Sequence, residues 1–138
     1  KLGFETVRSD DILLSEKIIG STNTSGVDVA IVATGSLEAF HDAIKLVRKG
    51  GTIVMFGVPS KGASIDIDMS IVYSKEITIT TTYAASDKDT KAALELISSG
   101  KIDVKSLITH KYSLEDSQKA FEHAKTGYNA MKIIIQDS

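Results

Sequence analysis

The clearest hydrophobic pattern in the chain lies in residues 27–59. Residues 27–33 (VDVAIVA) are almost continuously apolar, as a strand covered on both faces would be. Thr34-Gly35 then interrupts the run. Ser36 is placed to cap a helix, with Glu38 near its positive end. Phe40, Ala43, Ile44 and Val47 recur on one helical face, predicting a helix that ends near Lys49-Gly50. After Gly50-Gly51, residues 52–56 (TIVMF) form a second buried run, and Gly57-Val58-Pro59 closes it. The sequence of elements is a β-α-β crossover, the building unit of parallel α/β domains. In such domains ligands bind beyond the carboxyl ends of the strands, which here are Ala33-Thr34-Gly35 and Phe56-Gly57-Val58.

The remaining patterns are shorter. Residues 5–8 (ETVR) could form a strand, and residues 10–19 place Ile12, Leu13, Ile18 and Ile19 among charges, as a short helix would. Residues 21–26 are a polar turn cluster. Ile65 and Ile67 alternate with Asp66 and Asp68, predicting a half-exposed strand or an extended arm. Residues 77–83 (ITITTTY) read as a third strand, rich in β-branched side chains. A helix starting at Asp87 would pack Ala93, Leu94 and Ile97 and stop at Gly100. Ser113-Leu-Glu-Asp116 fits a capping box for a helix that packs Ala120, Phe121 and Ala124 and ends at Gly127. Residues 131–135 form a last apolar strand.

Composition sets the broad class. The 138 residues are 42% hydrophobic and 25% charged, with a net charge of −2, an ordinary globular balance sufficient for one core. No basic face is implied, so nucleic acid is a poor partner. No apolar run reaches membrane-spanning length and no signal peptide pattern is present, so no membrane partner is expected and a cytoplasmic setting is the default. Without cysteine the chain has no disulfide and no thiolate metal ligand. His41, His110 and His123 are not paired with other ligands at metal-binding spacing. Asp66 and Asp68 are simplest as a solvated strand face, and Asp87 and Asp89 as helix amino-terminal charges. No catalytic residue and no metal site is expected in this chain. Lys1-Leu2-Gly3-Phe4 reads as the tail of a helix with its glycine terminator, so the chain is expected to be one partial domain, 1–138, excised from a longer protein.

Three segments carry a resemblance. Val27-Asp-Val-Ala-Ile-Val-Ala-Thr-Gly35 is similar to the fourth nucleotide-domain strand and T-G turn of the medium-chain dehydrogenases, the zinc alcohol, polyol and threonine dehydrogenase superfamily. Leu46 to Pro59 resembles that family's L-x-x-G-G-x-hydrophobic-G-x-P block. Leu94-Glu-Leu-Ile-Ser-Ser-Gly-Lys-Ile-Asp103, then Leu107-Ile-Thr-His110 and Ala120-Phe121, is the most specific piece. The resemblance implies an α/β fold: a partial Rossmann-like, doubly wound parallel sheet lacking the first two strands of the dinucleotide fold. The G-x-G-x-x-G turn, the acidic residue that selects NAD over NADP, and the amino-terminal domain with the zinc ligands and proton relay lie outside this sequence.

The same resemblance implies roles for particular residues. Phe56, Gly57 and Val58 would line the nicotinamide side of NAD or NADP, with no room at Gly57 for a side chain beside the ribose. Ala33 and Thr34 would border the adenine side, although strand-end packing and a local backbone bond account for them equally simply. The backbone at Thr81, Thr82 and Tyr83 would meet the carboxamide, or Tyr83 would be a rim aromatic. Lys132 would face the pyrophosphate, or be a solvated lysine with Met131 at the aligned position.

The function implied is hydride transfer between an alcohol or polyol and nicotinamide, with zinc held only in the missing amino-terminal domain and this part inactive alone. A homodimer through an edge strand within residues 65–82 is implied too. Two other readings compete: a non-catalytic nucleotide-binding or dimerisation module, and half of a class I methyltransferase suggested by Lys49-Gly50-Gly51. The methyltransferase fold expects a final antiparallel hairpin, which the order of segments here does not supply. An exposed apolar edge near residues 5–8 is also expected.

Overall fold

A computed structural model describes residues 3–22 and 26–137. The expected helix tail at Lys1-Leu2 and the Asn23-Thr24-Ser25 part of the polar turn lie outside the described residues. The chain divides into two compact units, Lys1–Ala84 and Ala85–Ser138.

The first unit contains α1 (Leu14–Thr22), β1 (Val27–Val32), α2 (Leu37–Leu46), β2 (Val47–Met55), α3 (Met69–Ser74) and β3 (Thr78–Thr81). Its three strands form one parallel sheet in the order β1-β2-β3. The register aligns Val32 with Met55 and Met55 with Thr81, so all three strands finish at the same level.

The core lies on one face of this sheet. Val32 and Ile53 pack with Phe40, Ala43 and Ile44 of α2, with Val47 and with Ile77. Val47 and Ile53 are 0% exposed. Ala30, Met55, Ile65, Ile67 and Val72 close its margin. The opposite face is open within the unit: Val29 is 53% exposed and Ile31 65%. A covering on both faces was expected for residues 27–33. Strand alternation puts 30 and 32 on the helix-covered side and 29 and 31 on the other, and α2 and α3 join the core from the first side only.

α2 is held at both ends. Ser36 accepts the Ala39 backbone N–H at 3.3 Å, as its capping position predicts. The helix was expected to run to Lys49 but ends at Leu46, because Val47 turns to extended backbone and enters β2. Lys75, just beyond α3, donates from Nζ to the carbonyl oxygens of Ile44, Lys45 and Val47, each at 3.2 Å. These are carbonyls of the kind a helix carboxyl end leaves unpaired. Val27 pairs with Val47 but Val29 pairs with Thr52, so residues 48–51 bulge out of β2. Gly50 supplies the left-handed backbone this needs, at φ +69°. Arg48 braces the bulge from Nε to Asp28 at 2.6 Å.

Other expectations change in detail. Residues 5–8 form no strand. Turns precede α1: the Leu14 N–H donates to the Asp11 carbonyl and the Leu13 N–H to its carboxylate, delaying the helix to Leu14. Of the two alternatives for residues 65–68, no strand forms: Ile65 and Ile67 sit on a connecting arm, with their side chains against the core. Asp68 ends that connector by capping α3, accepting the Ser70 N–H at 2.9 Å. Phe4, Val7 and Ile12 are exposed in this stretch, but with no strand at residues 5–8 they do not form the expected apolar sheet edge.

The second unit contains α4 (Asp87–Ser98), a short 3-10 turn at Lys105–Leu107, β4 (Ile108–Tyr112), α5 (Ser117–Thr126) and β5 (Lys132–Ile135). β4 and β5 pair in parallel, and α5 packs on both. Leu107–His110 runs from the end of the 3-10 turn into β4. A full capping box occurs at Ser86 and Asp89, not at Ser113 and Asp116. Ser113 Oγ accepts the Asp116 N–H at 3.3 Å, but α5 begins only at Ser117, so that bond closes a turn one step before the helix. Gly127 ends α5 in the left-handed conformation, as expected.

Candidate functional site

Because the three strands are parallel and end in register, their following residues gather at one edge of the sheet. Ala33-Thr34 follow β1, Phe56-Gly57-Val58 follow β2, and Thr82-Tyr83 follow Thr81, the last residue of β3. The edge is tied by backbone bonds that continue the ladder. The N–H groups of Phe56 and Gly57 both donate to the Val32 carbonyl, at 3.1 and 2.8 Å, and the Thr82 N–H donates to Met55 at 3.1 Å.

Two glycines bring the first two strand ends together. Neither Gly35 nor Gly57 has a positive φ, so neither is needed for backbone conformation. What each supplies is the absence of a Cβ. A Cβ on Gly57 would lie 2.5 Å from the Thr34 nitrogen and closer still to the Thr34 carbonyl. A Cβ on Gly35 would overlap the Val58 carbonyl oxygen and lie 3.3 Å from the Pro59 Cα. The two turns therefore pack backbone against backbone. The lack of room at Gly57, expected from a bound ribose, already has a cause inside the protein. Thr34 also makes the local bond its simpler reading expects: its hydroxyl accepts the Ser36 N–H at 3.3 Å.

The side chains at this edge offer apolar surface. Phe56 is 61% exposed, Val58 76% and Tyr83 90%. Beside Thr34 and the start of α2 lies a depression of about 370 Å³ bordered by Ser36 and by the carboxylates Asp10, Glu38 and Asp42. Asp10 is paired with Arg8 at 2.7 Å, and that hydrogen bond holds its carboxyl below the usual range. Carboxylates accept from hydroxyls and amines and repel phosphate, so this corner suits an uncharged, hydrogen-bond-donating group. A larger depression of about 590 Å³, bordered by Lys49, Val72, Tyr73 and Ile77, lies near the amino end of β3, away from the strand carboxyl ends.

Lys132 belongs to the second unit, where it opens β5 with its side chain exposed and its carbonyl accepting from Thr109 Oγ1 at 3.2 Å. The histidines have structural partners. His41 Nε2 reaches the Asp66 carbonyl at 3.0 Å. His123 contacts the Tyr112 hydroxyl through Nδ1 and the Tyr128 carbonyl through Nε2, each at 2.8 Å, and His110 stacks edge-on at 4.3 Å between ring centroids. Sequence spacing did not reveal the His110–His123 pair, since it depends on β4 and α5 packing together. Among the described residues no group of His, Asp or Glu side chains could hold a metal ion, so the residues present do not fit a zinc site. Among them, too, no helix is long and apolar enough to cross a membrane.

Residues 1–99 match the family described as zinc-binding dehydrogenase. Probable D-xylulose reductase A of Aspergillus niger is 32% identical over 132 residues, covering 95% of this chain and 36% of that protein. Sorbitol dehydrogenase of Bacillus subtilis is 36% identical over 130 residues, covering 94% of this chain and 36% of that protein. The chain thus spans about a third of the length of these curated relatives. An alcohol dehydrogenase from Thermus sp. ATN1 superposes with a TM-score of 0.83 at 21% identity, over 95% of this chain and 37% of that one, which shows the shared Rossmann-like fold. With a family match over residues 1–99 and a parallel sheet of the corresponding fold, this chain belongs to the zinc-binding dehydrogenase family.

Proposed function

We propose that residues 1–138 are the carboxyl-terminal cofactor-domain part of a nicotinamide-dependent dehydrogenase acting on a secondary alcohol or polyol. The observation that carries this reading is the gathering of the β1, β2 and β3 carboxyl ends at one edge in a chain of this family. That edge is where parallel α/β sheets bind ligands. Phe56 and Val58 supply an exposed apolar wall on which the nicotinamide ring of NAD or NADP would lie. Gly57, held against Thr34, keeps the wall's backbone close to the sheet. Ala33 and Thr34 would flank the adenine half beside the carboxylate-bordered corner. Thr81, Thr82 and Tyr83 would bound the carboxamide end.

The bound cofactor supplies the hydride acceptor, and this chain's residues bind and orient it. Zinc ligation and proton transfer would belong to a preceding domain, so this part alone would not turn over. The enzyme would work in the cytoplasm. The outer strand β3, within residues 65–82, would pair with a second copy to form a homodimer.

The test is twofold. NADH fluorescence on titration with this chain should rise saturably, and the full-length protein should reduce NAD or NADP with sorbitol or xylitol. Saturable binding with turnover of a polyol supports the reading. Absence of both would leave the chain without a cofactor role and overturn it.

A further inference from the structure

We infer that Gly35 is a positioning residue for the nicotinamide wall, although it lies on the other strand's turn. The inference rests on the cofactor reading above and adds a residue outside the expected contact set. Gly35 follows β1, whereas the wall formed by Phe56, Gly57 and Val58 follows β2. A Cβ at Gly35 would overlap the Val58 carbonyl oxygen, lie 3.1 Å from the Val58 carbonyl carbon and meet the Pro59 Cα at 3.3 Å.

These are backbone atoms, so no rotamer change relieves the overlap. Either the β1 turn or the Val58-Pro59 peptide must move. The β1 turn is fixed on its far side by the Ser36 cap and by the Ser36 N–H bond to Thr34 Oγ1. Residues 60–64 are held less firmly: the backbone bond involving them joins Ala63 to the Ser60 carbonyl within the same loop, at 3.0 Å. The Val58-Pro59 peptide leads into that loop and is the side that yields. Gly35 thus sets where the wall stands without touching the ring. Gly57 acts reciprocally, since its own missing Cβ admits Thr34.

The experiment compares NADH with ADP-ribose, which lacks nicotinamide, on the full-length protein carrying Gly35→Ala. The Kd for NADH should rise about tenfold or more, since misplacing a binding group by about 1 Å is costly. The Kd for ADP-ribose should stay within about twofold, because the added methyl points at Val58 and leaves the adenine side in place. Equal weakening of both ligands, or no change in either, overturns the inference. Failure of the unsubstituted protein to bind NADH would instead overturn the cofactor reading. Where Gly35→Ala does not fold, backbone resonances of the unsubstituted protein decide. Gly35 and Val58 must shift together on NADH addition, and a shift at Val58 with Gly35 unmoved overturns the coupling.

Discussion

The backbone of Thr34 occupies the space that a Cβ on Gly57 would need. This contact joins the ends of two parallel strands and explains why glycine stands at a position whose φ any residue could adopt. Gly57→Ala must push one backbone segment off another. It should destabilise by about 3 kcal/mol or more and lower Tm by roughly 10 °C. Gly62→Ala is the comparison: its Cβ would meet nothing within 4 Å, but its φ of +80° disfavours a side chain. That variant should cost only about 1–2 kcal/mol. Thermal melts of the two variants check the order, and equal losses would refute the steric account.

Lys75 ties α3 to the carboxyl end of α2 through three carbonyl oxygens. Lys75→Met keeps much of the aliphatic stem but removes every donor. The expected loss is about 1–2 kcal/mol, since charge-assisted bonds at a helix carboxyl end are lost together. Urea unfolding should show a lower midpoint with an unchanged slope.

The capping box of α4 is sensitive to acid. Asp89 Oδ2 accepts from the Ser86 hydroxyl at 2.7 Å and from the Ser86 N–H at 2.9 Å. The side-chain hydrogen bond first, and the backbone bond second, hold its carboxyl below the usual carboxylate range. The depressed folded-state value means the cap contributes fully above the ordinary carboxylate range. Its contribution fades as the pH falls through the lowered value. The Ser86 amide resonance should therefore titrate below the pH of a free aspartate, and Asp89→Asn should abolish that titration.

In the second unit, His123 links α5 to β4 through the Tyr112 hydroxyl and to the following turn through the Tyr128 carbonyl. A carbonyl only accepts, so Nε2 donates its N–H to Tyr128, while Nδ1 pairs with the Tyr112 hydroxyl. His123→Ala removes both bonds and the ring stacked on His110. Hydrogen exchange should accelerate at Gln136, whose N–H donates to the Tyr112 carbonyl at 3.0 Å. Unchanged exchange there would show that the link does not secure the parallel pair.

The sheet face away from α2 carries exposed apolar side chains. Val29 and Ile31 are exposed beside each other on alternate positions of β1. Ile31→Thr should leave the Tm of this chain within about 2 °C while reducing self-association in light scattering, because it removes exposed apolar surface and keeps β propensity.

The sequence by itself determined the β-α-β unit from residues 27 to 56, the Ser36 cap, the strand at Thr78–Thr81, the Gly127 stop and the family. These depend on periodicity and capping, which act over a few neighbouring residues. Tertiary structure decided what depends on distant partners. α2 stops at Leu46 because Val47 is needed in the core and Lys75, far along the chain, holds the helix end. The capping box formed at Ser86 rather than Ser113, although both sequences allow it, because α5 starts one residue beyond the second one. The open face of β1 could not be read from an apolar run, since the run records what tolerates burial and not which elements cover it. The glycines at 35 and 57 were legible as turn residues. Only the folded sheet showed that each is glycine because the other turn's backbone fills the space of its missing side chain.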